Sequence, residues 1–103
     1  MPRYRIELTA TARSQLRRAL AWWRENRPES PNLLAVEMRG AVGALREAPG
    51  IGASHPRRGF PGLRKVVLPR SRRAIFYEVD LERRLVQILA VWGTARGKGP
   101  PLK

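Results

Sequence analysis

Between Leu63 and Trp92, three runs rich in β-branched and aromatic residues (Leu63 to Leu68, Ala74 to Asp80, Leu85 to Trp92) are separated only by the basic link PRSRR and the charged link LERR. Such composition predicts strands. Joining neighbouring strands in parallel takes a crossover of about a dozen residues or more, so links this short force an antiparallel meander. A meander alone leaves an apolar face in water, and another layer must cover it.

The cover lies upstream. Tyr4, Ile6 and Leu8 alternate with Arg3, Arg5 and Glu7, the period of a half-buried strand. Thr9 then offers an N-cap oxygen, and Ala12, Leu16, Ala19, Leu20 and Trp23 recur at helical spacing to about Asn26. RPESP breaks the pattern, and Ser30 before Pro31 reads as a cap and first-turn proline opening a second helix. Leu34, Met38, Ala41, Val42 and Leu45 form its apolar face, and Pro49-Gly50 ends it. Gly40 and Gly43 sit inside that helix at about 1 kcal/mol each relative to alanine. Close approach to the bulky Trp22 and Trp23 is the expected compensation. Residues 50–62, GIGASHPRRGFPG, read as a loop.

The fold class that follows is α+β in the order β-α-α-β-β-β. An N-terminal strand takes whichever sheet edge is free, and a two-helix antiparallel hairpin packs on a twisted antiparallel sheet. At 103 residues the chain can bury one apolar core. Residues 1–96 are expected to form a single domain and 97–103 a loose basic tail.

The 21 basic and 8 acidic residues give a formal net charge of +13. Self-repulsion on that scale opposes compaction and points to a polyanionic or acidic partner, either nucleic acid or an acidic protein. With no cysteine and one histidine, disulfides, thiolate metal sites and zinc centres are excluded, and no cofactor is expected. No run approaches the roughly 20 apolar residues of a membrane span and the start lacks a signal-type apolar core, so the expectation is a cytoplasmic protein.

The cations concentrate in one stretch. No acidic residue falls between Glu47 and Glu78, while Arg57, Arg58, Arg64, Lys65, Arg70, Arg72 and Arg73 all do, which makes an anion-binding face the leading reading of that segment. Strand alternation places Arg64 opposite in direction to Leu63 and Lys65. His55 has no neighbouring acid to hold its tautomer and reads as a loop residue. Tyr77 reads first as core, with a proton donor or base-stacking platform as the alternative. The spacings Gly40 to Gly43 and Gly59 to Gly62 do not fit a phosphate-clamping loop between helices, and no P-loop or Ser-His-Asp set can be assembled.

Five segments in order, IELTATARSQLRRALAWW, LREAPGIG, GLRKVVL, AIFYEVD and ILAVWGTARG, resemble the RelE/ParE-type toxins of bacterial type II toxin-antitoxin systems, also called plasmid stabilisation proteins. The resemblance spans nearly the whole chain. It implies a small α+β toxin neutralised by a cognate antitoxin whose acidic segment folds on binding. Growth inhibition would follow by poisoning DNA gyrase, as in the ParE branch, or by cleaving messenger RNA on the ribosome, as in the RelE branch.

For a nuclease, the resemblance implies Arg64, Tyr77 and Arg96 as the catalytic set. For a binder, it implies Arg57, Arg58, Arg64, Lys65, Arg70, Arg72, Arg73 and Arg96 as the contact surface. Related nucleases commonly end the last strand V-x-H-x-x-R, whereas here it reads Val91-Trp92-Gly93-Thr94-Ala95-Arg96, with Gly93 at the histidine position. Many also carry an arginine where this chain has Ala74. Both departures favour the gyrase-directed branch over the endoribonuclease, with a non-toxic basic nucleic-acid-binding module as a further alternative.

Overall fold

The computed structural model describes residues 3–95 and 99–102. The chain runs β1 (Arg5–Leu8), α1 (Ala10–Asn26), α2 (Leu33–Glu47), a 3-10 turn (Pro49–Ile51), β2 (Ala53–Ser54), β3 (Arg64–Leu68), β4 (Arg73–Asp80) and β5 (Leu85–Gly93). The five strands form one sheet in the order β1-β5-β4-β3-β2. The meander of β3, β4 and β5 is antiparallel, as its short links require. β1 takes the free edge of β5 in parallel, Arg5 opposite Leu85 through Leu8 opposite Ile88, which makes the sheet mixed. That pairing is possible because the whole helical hairpin serves as part of the connection between them.

Thr9 couples the first two elements. Its Oγ1 accepts the Ala12 amide at 3.1 Å, capping α1, while its own amide donates to Ile88 O at 3.0 Å. The helix therefore starts at a point fixed on the sheet. The second helix begins later than Ser30-Pro31 suggests. Its N-cap is Asn32, without a side-chain cap bond. Ser30 O instead receives the Trp23 indole N–H at 2.7 Å and the Leu33 amide at 3.2 Å, so residues 30–32 form a turn that ties the two helices together.

Gly40 and Gly43 do not mark a close approach. A Cβ built at either position would meet nothing within 4 Å, so steric need for the tryptophans does not account for them, and nothing in the structure does. The stretch from 50 to 62 also holds more order than a loop. β2 pairs Ala53 with Lys65 and Ser54 with Arg64, and a bridge joins Arg57 to Phe60 across Gly59, whose φ is 82°.

The sheet has two apolar faces. Toward the helices lie Leu68, Ile75, Tyr77, Val86, Ile88 and Val91, packed with Ala12, Trp23, Leu34, Met38 and Leu45. On the other face Leu63, Ala74, Phe76, Leu89 and Ala90 form a second cluster with Phe60, Trp92 and Leu102. A bulge sorts the residues of β5 between them. Tyr77 pairs with Ile88 and Phe76 with Ala90, so Leu89 is an extra residue and the alternation slips by one.

The described part of the C-terminal segment is packed rather than loose. Pro100 is buried and Leu102 rests on the second cluster. An apolar sheet face needs cover, and the run Pro100-Pro101-Leu102 supplies some.

Candidate target-binding surface

The structure divides the sequence-predicted site residues among three places. Arg64 and Tyr77 are direct cross-strand partners, and both act on the turn that follows α2. The Tyr77 hydroxyl donates to Pro49 O at 2.7 Å and accepts the Gly52 amide at 2.9 Å. Arg64 Nη1 donates to Gly52 O at 2.7 Å and to Gly50 O at 3.3 Å. Tyr77 is fully buried, so it is neither a stacking platform nor a donor at the surface. Burial pushes its phenol up from the ordinary value of 10.0, with the Gly52 amide and the Arg64 charge pulling the other way. At that end of the sheet the phenol remains protonated and serves as a latch.

Lys65, Arg57 and Arg58 belong to the face away from the helices. Lys65 Nζ lies 5.7 Å from the Phe76 ring centroid, and His55 meets the same ring edge-on at 5.4 Å. His55 is exposed, in a loop, as its sequence context suggests. Arg57 Nη1 donates to Pro100 O at 2.7 Å, which holds the C-terminal segment against this face. Arg58 is exposed in the turn closed by the Arg57 to Phe60 bridge.

Arg70, Arg72 and Arg73 lie at the opposite end of β4 from Tyr77. Arg73 is four residues from Tyr77 along the strand, about 13 Å at roughly 3.3 Å per residue, and it pairs with Gly93. Glu37 on α2 shapes this end. Its carboxylate accepts the Ser71 amide at 2.8 Å and the Arg70 amide at 3.0 Å. Burial works against the charged carboxyl, but the Ser71 hydroxyl dipole, these two amides and the Arg70 charge outweigh it and hold Glu37 below its ordinary 4.5. Among the described residues the buried Ser71 Oγ has no hydrogen-bond partner of ordinary geometry, so the two backbone amides are the direct contacts that hold the carboxylate. Arg72, at φ 55°, gives its carbonyl to the Thr94 amide at 2.9 Å, tying this turn to the end of β5.

Here a cleft of about 480 Å³ opens between the end of α1 and the turn, lined by Trp22, Arg27, Arg70, Arg72, Arg73 and Gly93. Arg27 and Arg73 place their guanidinium carbons 5.3 Å and 5.7 Å from the Trp22 ring centroid. The sequence pattern places Trp22 at the helix interface and does not single out Arg27. Adjacent helix residues point about 100° apart, so two neighbouring tryptophans cannot both sit at the centre of an apolar stripe; here Trp23 is buried and Trp22 lies at the exposed edge. Arg96, expected beside Arg64, lies outside the described residues.

The helical hairpin on a five-stranded mixed sheet is a fold shared with solved toxin-antitoxin systems. It is similar to the Mycobacterium tuberculosis RelBE2 toxin-antitoxin complex at 27% identity and TM-score 0.65, covering 93% of this chain and 97% of that one. The chromosomal ParDE system of P. aeruginosa shares the fold at 21% identity and TM-score 0.67, over 87% of this chain and 95% of that one. The E. coli RelBE complex shares it at 22% identity and TM-score 0.58, over 90% and 99%. Comparison with curated protein sequences gives no match.

Residues 6–97 match the model of the ParE toxin of type II toxin-antitoxin system, parDE. The chain belongs to that family, and it is a toxin of a type II toxin-antitoxin system.

Proposed function

We propose that the protein inhibits growth in the cytoplasm by binding a macromolecular target, DNA gyrase, and that a cognate antitoxin with an acidic segment neutralises it. The observation that carries the choice of a binder over a nuclease is the Tyr77-Arg64 latch. The tyrosine hydroxyl is buried and engaged as both donor and acceptor, and the arginine is engaged with two carbonyls of the same turn. A general acid must reach the proton it transfers, and this phenol reaches only the protein's own backbone. Gly93 and Ala74 supply no titratable group at the positions where related nucleases commonly hold histidine and arginine.

The acidic antitoxin follows from charge. A chain at +13 gains more than solubility from an anionic cover, because a bound acidic segment relieves its self-repulsion. The solved RelBE2 and ParDE systems are toxin-antitoxin assemblies, which supports the same arrangement here.

The test is induced expression with transcript mapping, paired with a gyrase supercoiling assay on purified protein. Intact transcripts together with inhibited supercoiling are expected. Transcripts cut on induction, with supercoiling unaffected, would overturn the binder in favour of a RelE-like endoribonuclease. Unimpaired growth would leave a non-toxic nucleic-acid-binding module.

A further inference from the structure

Trp22 is 42% exposed, although its ring centroid lies 5.9 Å from that of the buried Trp23. It does not stand alone in water. Arg27 and Arg73 lie over its ring, and it forms a wall shared by two clefts of about 480 Å³ each, one with Arg70 and Arg72, the other with Arg18 and Trp92. Each volume falls within the roughly 300–1,000 Å³ of small-ligand sites. Among the described residues no carboxylate lines either cleft. Glu37 is close enough to feel the Arg70 charge, but its oxygens accept the amides of Arg70 and Ser71. It fixes the turn that carries the arginines and leaves the cleft cationic.

We infer that this Trp22 cleft binds single-stranded nucleic acid, with a base taking the place of the Arg27 guanidinium over the indole and the adjoining phosphates held by the displaced Arg27 and by Arg70 and Arg72. An aromatic platform interleaved with cations is the arrangement that takes unpaired bases and tracks a phosphate backbone. Guanidinium forks suit phosphate oxygens bidentately. An acidic peptide would use the cations equally well but has no use for the exposed indole, which is why a nucleobase fits the site better. The first cleft opens between the end of α1 and the turn at 70–73, and Pro101 of the C-terminal segment lines the second; the binding test below contains no gyrase, so its failure and failure of the gyrase reading are distinguishable.

The test is binding of a short fluorescein-labelled oligothymidylate to the purified full chain, followed by anisotropy over a salt series. Trp22→Ala is expected to weaken binding about tenfold, the order of one lost base stack, while Trp22→Phe retains most of the affinity. Arg27→Gln and Arg70→Gln are each expected to lower the magnitude of the salt slope by about 0.7, the increment for one phosphate contact on a single strand. Arg13→Gln, an exposed α1 position outside both clefts, serves as the control for loss of a distant charge. Circular dichroism checks that each variant is folded.

Wild-type affinity in folded Trp22→Ala would overturn the inference. So would Arg27→Gln and Arg70→Gln behaving as Arg13→Gln does, since binding would then be diffuse electrostatics. Displacement of the oligothymidylate by an equal concentration of oligoglutamate of the same charge would reassign the cleft to an acidic protein segment.

Discussion

The Gly52 amide donates to the Tyr77 hydroxyl at 2.9 Å, and a Cβ at Gly52 would come within 2.5 Å of that same oxygen. The turn after α2 is thus shaped around one phenol from the middle of the sheet, and Pro49 O receives the hydroxyl proton at 2.7 Å. A residue that sequence comparison offers to catalysis is occupied in joining the helical layer to β4.

Tyr77→Phe leaves a buried Gly52 N–H and Pro49 C=O without their partner. A loss of about 1–3 kcal/mol is expected, read by urea denaturation. Because the phenol does no chemistry in the binding reading, the folded variant should keep its toxicity. Toxicity abolished in a variant that remains folded would return Tyr77 to the catalytic set.

Gly52→Ala acts on the same latch from the other side. Its methyl would crowd Tyr77 Oη, Tyr77 Cε1 and the Lys65 carbonyl. Overpacking of this kind costs about 1–3 kcal/mol. Combining it with Tyr77→Phe should cost less than the sum of the two, since the phenylalanine removes the atom in closest conflict; an additive double mutant would argue against the latch.

Glu37 has a carboxyl lowered below 4.5 in the folded state. A depressed folded value means that its contribution to stability is fully present above the unfolded value and is lost as pH falls through the folded one. Stability should therefore decline on acidification below about pH 4.5. In Glu37→Gln that acid slope should flatten, with a loss at neutral pH of about 1–3 kcal/mol from the weakened bonds to Arg70 and Ser71. Thermal melts across pH measure both. An unchanged acid slope would remove Glu37 from this role.

Gln15 is a buried polar residue of α1 whose Oε1 accepts the Val91 amide at 2.9 Å. β1 ends opposite Ile88, so among the described residues the distal part of that β5 edge has no strand beside it, and the helix supplies the acceptor. Gln15→Leu should cost about 1–3 kcal/mol by orphaning a buried amide. Hydrogen exchange should show faster exchange at Val91 than at Val86, which sits beside β1.

Arg57→Ala removes the bond to Pro100 O. The expected effect is local: faster carboxypeptidase trimming and increased binding of an apolar dye to the face formed by Leu63, Phe76 and Trp92, with little change in the global unfolding midpoint. Unaltered trimming would show that apolar packing alone holds the segment.

Much of the fold is readable from local chemistry. Thr9 caps α1 because a hydroxyl before a helical pattern has an orphan amide to meet, and the short PRSRR and LERR links fix the antiparallel meander because no crossover fits in them. Ser30-Pro31 misleads because the Ser30 carbonyl is engaged by Trp23 and Leu33, a tertiary demand invisible to capping rules. The glycines of α2 mislead for a related reason: a missing side chain signals close approach only if something stands opposite, and nothing does.

The sequence by itself determined the element order, the family resemblance and the large positive charge, since these rest on spacing, composition and counting. Only the tertiary structure decided which cations meet. It placed Arg64 on the backbone after α2, Arg57 on the C-terminal segment, and Arg70, Arg72 and Arg73 with Arg27 around Trp22. Side-chain direction in a strand alternates, and here a bulge at Leu89 shifts that alternation, while the partner across a turn depends on three-dimensional packing. Charge is a sum over the chain, but a site depends on where each charge is held.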